Sequence, residues 1–146
     1  MPSNRPLPGL LVLDGLLADD DLELLTAIAA GLPFEPQDLG RGAISARHRA
    51  ATDDLRVPER LWRSVSPELP ELASFFEDGL GPSRLDPPLA DWRAIGCNPR
   101  TRFYRYGPGA QFAEHEDEPW CPDPRTRTFL TLLVYVDDRC EGGETV

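Results

Sequence analysis

The apolar residues of the chain fall into short runs that are separated by polar stretches rich in Pro and Gly. The first run, Leu10–Leu13, predicts a strand. The next apolar positions recur at helical spacing and predict a helix that Asp19 or Asp20 caps and that Gly31 and Pro33 end. Its apolar positions are Leu22, Leu25, Ile28 and Ala29. We expect this face to lie in the core, because one helix must cover one sheet face.

The middle of the chain predicts a loop followed by two short helices. Residues 32–54 are rich in Gly, Pro, Asp and Arg and predict a long loop, which admits a strand at Ser45–Ala51. Pro58 opens the first short helix, and the second is expected at about Glu68–Asp78. The apolar residues of both are Leu61, Trp62, Val65, Leu69, Leu72, Phe75 and Phe76. We expect the three aromatic side chains among them to pack between the helices and a sheet.

Strand-like segments dominate the last third of the chain. They are Trp92–Cys97, Thr101–Tyr106 and the most apolar run, Thr126–Val136, in which Leu132, Leu133 and Val134 are expected in the core. Asn98-Pro99 predicts a turn into Thr101–Tyr106, and Tyr106-Gly107-Pro108-Gly109 predicts a tight turn out of it. Helices that precede strands indicate a single α+β domain over residues 1–146, with a helical layer packed on a sheet.

Charge and composition restrict the partners that we expect. The formal net charge is −10 and the chain holds 16 prolines. Such a balance argues against a nucleic-acid backbone or an anionic membrane surface as the main partner, and leaves a protein, peptide or small-molecule substrate. The start of the chain lacks the apolar core of a leader segment. Three widely spaced cysteines, Cys97, Cys121 and Cys140, are then most simply reduced thiols in a cytoplasmic protein.

A compact polar cluster, His115-Glu116-Asp117, lies between the last two strand-like segments. On an extended chain, residues two apart point to the same side, so the His115 imidazole and the Asp117 carboxylate could reach one metal ion while Glu116 points away. One His and one carboxylate form part of the 2-His-1-carboxylate triad that binds Fe(II). By itself this spacing is weak evidence, and a solvated polar turn is the default interpretation. A zinc site that adds Cys121 and Cys140 is a weaker alternative, because no Cys-x-x-Cys pair supports it.

The wider pattern around the cluster is more specific. Tyr-x-x-Gly-x-x-Phe-x-x-His-x-Asp is met by Tyr106, Gly109, Phe112, His115 and Asp117. Arg-x-x-x-Thr-x-Leu-x-Tyr is then met by Arg127, Thr131, Leu133 and Tyr135, and Gly-Gly-Glu-Thr by Gly142 to Thr145. Over residues 95–146 the chain therefore resembles the Fe(II)- and 2-oxoglutarate-dependent oxygenases, specifically the prolyl 4-hydroxylase-like branch.

The resemblance implies a fold, cofactors and roles. It implies helices packed on a double-stranded β-helix (jelly-roll) sheet, with His115 and Asp117 as iron ligands. Tyr106, Thr131 and Tyr135 would contact 2-oxoglutarate, and ascorbate could serve as reductant. The reaction would hydroxylate a C–H bond, with succinate and CO₂ as co-products. Substrate choice would depend on rim loops.

The chain departs from the family's pattern at one point. The pattern has a second histidine and a nearby basic residue tens of residues after Gly-Gly-Glu-Thr, so the sequence given supplies two ligands of three. The only other histidine, His48, lies between two arginines and is expected to be structural or at the surface. The sheet is accordingly expected to be incomplete at its C-terminal end. Two alternatives remain: a truncated or pseudo-oxygenase binding module without catalysis, and an unrelated acidic α+β domain with a chance motif.

Overall fold

A computed structural model of the chain describes residues 3–7 (backbone only), 10–37, 47–69, 92–112, 115–136 and 140–143. These residues form two helices, a two-stranded sheet and a three-stranded antiparallel sheet. The predicted α+β class is therefore confirmed.

The N-terminal sheet pairs β1 (Ser3–Leu7) with β2 (Leu10–Leu13) in antiparallel fashion. The second strand was expected from its apolar run, whereas the first was not. The register shifts between Asn4 and Leu7, a stretch that contains Pro6. A proline has no N–H to give to a ladder, so it is tolerated at such an irregularity.

Helix α1 (Asp19–Ala30) confirms the predicted helix, but its cap differs from the prediction. The N-cap residue is Ala18, which offers no side-chain oxygen, and Asp19 is already helical. The three aspartates of the first turn instead lie where carboxylates favour the positive end of the helix dipole. At the other end, the Gly31 N–H donates to the Ile28 carbonyl at 3.1 Å, and the helix ends there as predicted.

Helix α2 (Arg56–Val65) begins two residues before Pro58 and runs into a short 3-10 turn, Ser66–Glu68. Its start is fixed by the Asp54 carboxylate, which accepts the Arg56 backbone N–H at 3.0 Å and the Arg56 side chain. The hydrogen bond from the Arg56 side chain lowers the pKa of Asp54. Val57 is fully buried, and Arg60 reaches Asp21 of α1 at 2.6 Å. The helix expected at Glu68–Asp78, with Phe75 and Phe76, lies almost entirely outside the described residues.

The three-stranded sheet has the order β3 (Glu35–Pro36), β4 (Arg47–Thr52) and β5 (Thr101–Tyr106). The strand expected at Thr101–Tyr106 is confirmed, and the one at Ser45–Ala51 is found close to its predicted bounds. The stretch 32–54 is therefore not one loop, because it supplies two of the three strands. In the ladder, Arg47 pairs with Tyr106 and Thr52 with Thr101.

This register gives the β4–β5 pair two distinct faces, since directly paired side chains share a side. One face holds Arg47, Arg49, Tyr104 and Tyr106, and the other holds His48, Ala50, Phe103 and Arg105. Ala50 is buried, and Arg105 donates to the Ala29 carbonyl at the end of α1 at 3.4 Å. The face that holds Arg47 and Tyr106 is therefore the one on which the segment after β5 can pack.

Two predicted strands are wrong. Neither Trp92–Cys97 nor the part of Thr126–Val136 beyond Thr126 forms a strand, although Asp123 and Thr126 form one isolated bridge. Leu132 and Leu133, expected in the core, are exposed, and Val134 is half-buried. An apolar run needs continuous ladder partners and a covering layer before it becomes a buried strand. Among the described residues, the backbone pairing of this run is confined to Thr126 and Thr128.

No described helix has both the length and the apolar character needed to cross a bilayer. All three cysteines are free thiols. Cys97 is half-buried, and burial raises the pKa of its thiol, whereas Cys121 and Cys140 are exposed.

Candidate functional site

The candidate site begins where β5 ends, at the predicted tight turn. The Ala110 N–H donates to the Gly107 carbonyl at 3.0 Å, which closes a four-residue turn with Pro108 and Gly109 in the middle. Gly109 has φ 73°, so Pro then Gly fits a type II turn. The turn is therefore confirmed, and it redirects the chain from the sheet edge toward Phe112 and His115.

His115 and Asp117 lie together beyond this turn. The His115 Nε2 atom is 3.3 Å from the Asp117 Oδ1 atom, and both side chains are about half exposed. Two donor atoms that bind one ion at about 2.1 Å and at right angles would lie about 3 Å apart. An imidazole nitrogen and one carboxylate oxygen thus converge at a separation that fits two neighbouring positions around a divalent cation.

Thr131 orients the other oxygen of the same carboxylate. Its Oγ1 hydroxyl donates to Asp117 Oδ2 at 2.6 Å, across a separation of 14 residues. The Asp117 carboxylate is therefore held with one oxygen bonded to Thr131 and the other directed at His115. Hydrogen bonds of this kind fix the orientation of metal-binding side chains.

A closed loop brings Asp117 and Thr131 together. The Thr128 N–H donates to the Trp120 carbonyl at 3.0 Å, and the Trp120 N–H donates to the Thr128 hydroxyl at 2.9 Å. The bridge between Asp123 and Thr126 closes the loop further in. Asp117 and Thr131, which lie three residues further out on the two arms of this loop, are joined by their side-chain hydrogen bond.

Tyr106 joins the site through Arg47. The Arg47 Nη1 atom donates to the Tyr106 hydroxyl at 3.4 Å, and the Arg47 guanidinium lies 3.7 Å from the centre of the Phe112 ring. The Phe112 ring in turn contacts the His115 ring, with 4.1 Å between centroids and a tilt of 57°. Of the predicted site residues, Asp117 thus contacts both His115 and Thr131, and Tyr106 is connected to His115 through two intermediate side chains.

The remaining predicted residues are placed less closely. Tyr135 follows Thr131 by four residues and is 63 % exposed, so its role toward a carboxylate stays a prediction. Glu116 and Glu118 are exposed, as expected for solvated neighbours of the pair. His48 lies in the central strand, in register with Pro36 and Arg105, which agrees with a structural role.

The residues of the alternative zinc site do not come together in the fold. Its four residues, His115, Asp117, Cys121 and Cys140, all lie within the described part of the chain. There, no three His, Cys, Asp or Glu side chains come close enough to hold one ion. The thiols instead lie near backbone carbonyls, that of Cys140 at 3.5 Å from Gly142.

Arg47 is the site residue that sequence reasoning missed. In the sequence it is one of the two arginines that flank His48, and in the fold it is 6 % exposed. Its importance follows from the pairing of Arg47 with Tyr106, 59 residues away. No local pattern in the sequence signals this pairing.

Comparison with known proteins adds no assignment: no protein-family model, no curated protein and no solved structure matches the chain.

Proposed function

We propose that the chain carries part of the site of an Fe(II)- and 2-oxoglutarate-dependent oxygenase of the prolyl 4-hydroxylase-like kind. The observation that supports this most is the convergence of His115 Nε2 and Asp117 Oδ1, 3.3 Å apart. The proposal includes helices packed on a jelly-roll sheet, to which β4 and β5 would belong.

The residues of the pair suit Fe(II) by their chemistry. One imidazole and one carboxylate are two members of the facial triad, whose third member in the resembling family is a further histidine. The hydrogen bond from Thr131 leaves Asp117 with a single oxygen facing His115, which favours binding through one oxygen and leaves room for other ligands.

The neighbouring residues would bind the co-substrate. Tyr106 and Thr131 flank the pair through the contacts described above and would line the 2-oxoglutarate pocket, with Tyr135 toward the distal carboxylate. When bound, Fe(II) would support the reaction of O₂ with 2-oxoglutarate, in which one oxygen atom goes to succinate and the other converts a C–H bond to C–OH, with CO₂ as the further co-product. His115 and Asp117 hold the ion and transfer no proton. The substrate would be a protein, peptide or small molecule, and ascorbate would serve as reductant.

Anaerobic titration tests the proposal. Fe(II), or Co(II) as a spectroscopic substitute, is titrated into the chain with and without 2-oxoglutarate. We expect binding that 2-oxoglutarate strengthens, and a loss of at least about tenfold in affinity for His115→Ala and for Asp117→Ala. Matched controls are His48→Ala, which removes the other histidine, and Glu116→Ala, which removes the carboxylate between the two ligands.

Three results would decide against an oxygenase. If all four variants bound metal equally, His115 and Asp117 would not be ligands. If 2-oxoglutarate bound equally well with and without metal, the chain would be better described as a binding module. If neither bound to the intact protein, the motif would be a chance pattern on an unrelated α+β domain.

A further inference from the structure

Arg47 is a buried cation that lies among aromatic side chains. It is 6 % exposed, at the first position of β4, and shares a sheet face with Tyr104 and Tyr106. Its guanidinium carbon lies 4.8 Å from the centre of the Tyr104 ring and 3.7 Å from that of Phe112. A buried charge is costly unless its donors are bonded and its faces are covered, so this environment is specific to a planar cation.

The Arg47 side chain connects segments that the turn separates. Its Nη1 atom donates to the hydroxyl of Tyr106, the last residue before the turn, and its Nη2 atom donates to Gln37 Oε1. Its face covers Phe112, which follows the turn. One guanidinium thus holds β5, the residue after β3 and the segment that leads to His115 in one arrangement.

Phe112 transmits this arrangement to the candidate ligand. Its ring contacts the His115 ring at 4.1 Å on one side and the Arg47 guanidinium at 3.7 Å. Neither Phe112 nor His115 lies in a strand, and the contact with the Phe112 ring is one of the contacts that fix the imidazole. A displacement of Phe112 would therefore move Nε2 away from Asp117.

We propose that Arg47 is a positioning residue: through Phe112 it sets the place of the His115 imidazole beside Asp117, and it fixes the Tyr106 hydroxyl at the same time. The consequence for metal affinity rests on the proposed function, whereas the placement of the imidazole does not. Lysine cannot replace arginine here, because an ammonium group has neither the plane that covers Phe112 nor the fork that reaches Tyr106 and Gln37.

The test compares Arg47→Lys, Phe112→Leu and the double variant in the full chain. Arg49→Lys is the matched control, since Arg49 lies two residues further on the same strand face but is exposed. The first readout is the NMR resonances of the His115 ring without metal, and the second is the dissociation constant for Co(II). Urea unfolding shows whether each variant is folded.

Arg47→Lys and Phe112→Leu should each shift the His115 resonances and weaken Co(II) binding about tenfold, while Arg49→Lys changes neither. The double variant should bind no more weakly than either single variant, because both remove the same connection. Unchanged His115 resonances in Arg47→Lys, or fully additive losses, would overturn the proposal.

Two further results keep the test decisive. If the intact chain bound no Co(II) but the His115 resonances shifted as expected, the positioning role would stand and the oxygenase proposal would fail. If Arg47→Lys did not fold, Phe112→Leu would carry the test, because Phe112 is 39 % exposed and tolerates truncation better. It must then shift both the His115 ring and the Arg47 Nε–H resonances, and a shift in one alone would overturn the proposal.

Discussion

The β4–β5 ladder and residues 115–136 hold the two halves of the candidate site by different means. In the ladder, backbone pairing runs without a break from Arg47 and Tyr106 to Thr52 and Thr101. In residues 115–136, backbone bonds close only the loop from Trp120 to Thr128. The contact of His115 with Phe112 and that of Thr131 with Asp117 are made by side chains.

In this protein, the position of a residue and the orientation of its side chain are therefore fixed by different interactions. A ladder fixes the position of each side chain through the backbone, so Arg47 and Tyr106 keep their side of the sheet whatever their neighbours do. Residues 115–136 depend on individual contacts, and single substitutions there should alter the site without unfolding the protein. The following predictions test this contrast, from the largest effect to the smallest.

A new carboxylate should destabilise the fold strongly when it is placed in the sheet and hardly at all when it is placed in residues 126–136. Ala50→Asp places a charge at a position of β4 that is 5 % exposed, and we expect a loss of about 3 kcal/mol or more in the free energy of unfolding. Leu133→Asp places it at a position that is 60 % exposed, where we expect a change within about 0.5 kcal/mol. Urea unfolding followed by circular dichroism measures both. Equal losses would show that residues 126–136 are as well packed as the sheet.

Two threonines of residues 115–136 have different roles. Thr131 orients the Asp117 carboxylate, whereas Thr128 helps to close the loop that begins at Trp120. Thr131→Val removes the hydroxyl that bonds Asp117 Oδ2, so it should weaken Co(II) binding about tenfold with little change in stability. Thr128→Val removes the acceptor of the Trp120 N–H, so it should cost about 1 kcal/mol of stability and change affinity less. Metal titration and urea unfolding measure the affinity and the stability of both variants. Equal losses of affinity and of stability in the two variants would contradict the prediction.

The cysteines offer a comparison that needs no substitution. Cys97 should react with iodoacetamide more slowly than Cys121 and Cys140, because burial both shields its thiol and raises its pKa. Mass spectrometry of peptides after brief alkylation measures the order of reaction. Modification of Cys97 first would show that the segment before β5 opens readily.

The raised pKa also gives a pH dependence. The folded protein holds the Cys97 proton more tightly than the unfolded chain does, so the contribution to stability is complete below the unfolded pKa. It is lost as the pH rises through the folded pKa, on the alkaline side. The unfolding midpoint of Cys97→Ala should therefore fall less over that range than the midpoint of the unchanged protein.

Local signals in the sequence were sufficient for part of the structure. Helical spacing identified α1, an apolar run identified β2, and Gly-Pro-Gly identified the turn after β5, where Gly109 has a positive φ. The pair of His115 and Asp117 was also predicted, from the His-x-Asp spacing together with the wider motif around it. Each of these depends on residues that are close in the chain, so the chemistry of neighbours determines them.

Other parts depended on partners that lie far apart in the chain. Thr126–Val136 has the composition of a buried strand but forms none, because composition alone does not supply a neighbouring strand. Arg47 became a site residue only because β4 pairs with β5 in a register that sets it against Tyr106 and Phe112. The sequence by itself determined α1, β2, β5, the turn after β5 and the candidate ligands. The tertiary structure alone decided which side chains hold those ligands, since that depends on strand register and loop closure between distant segments.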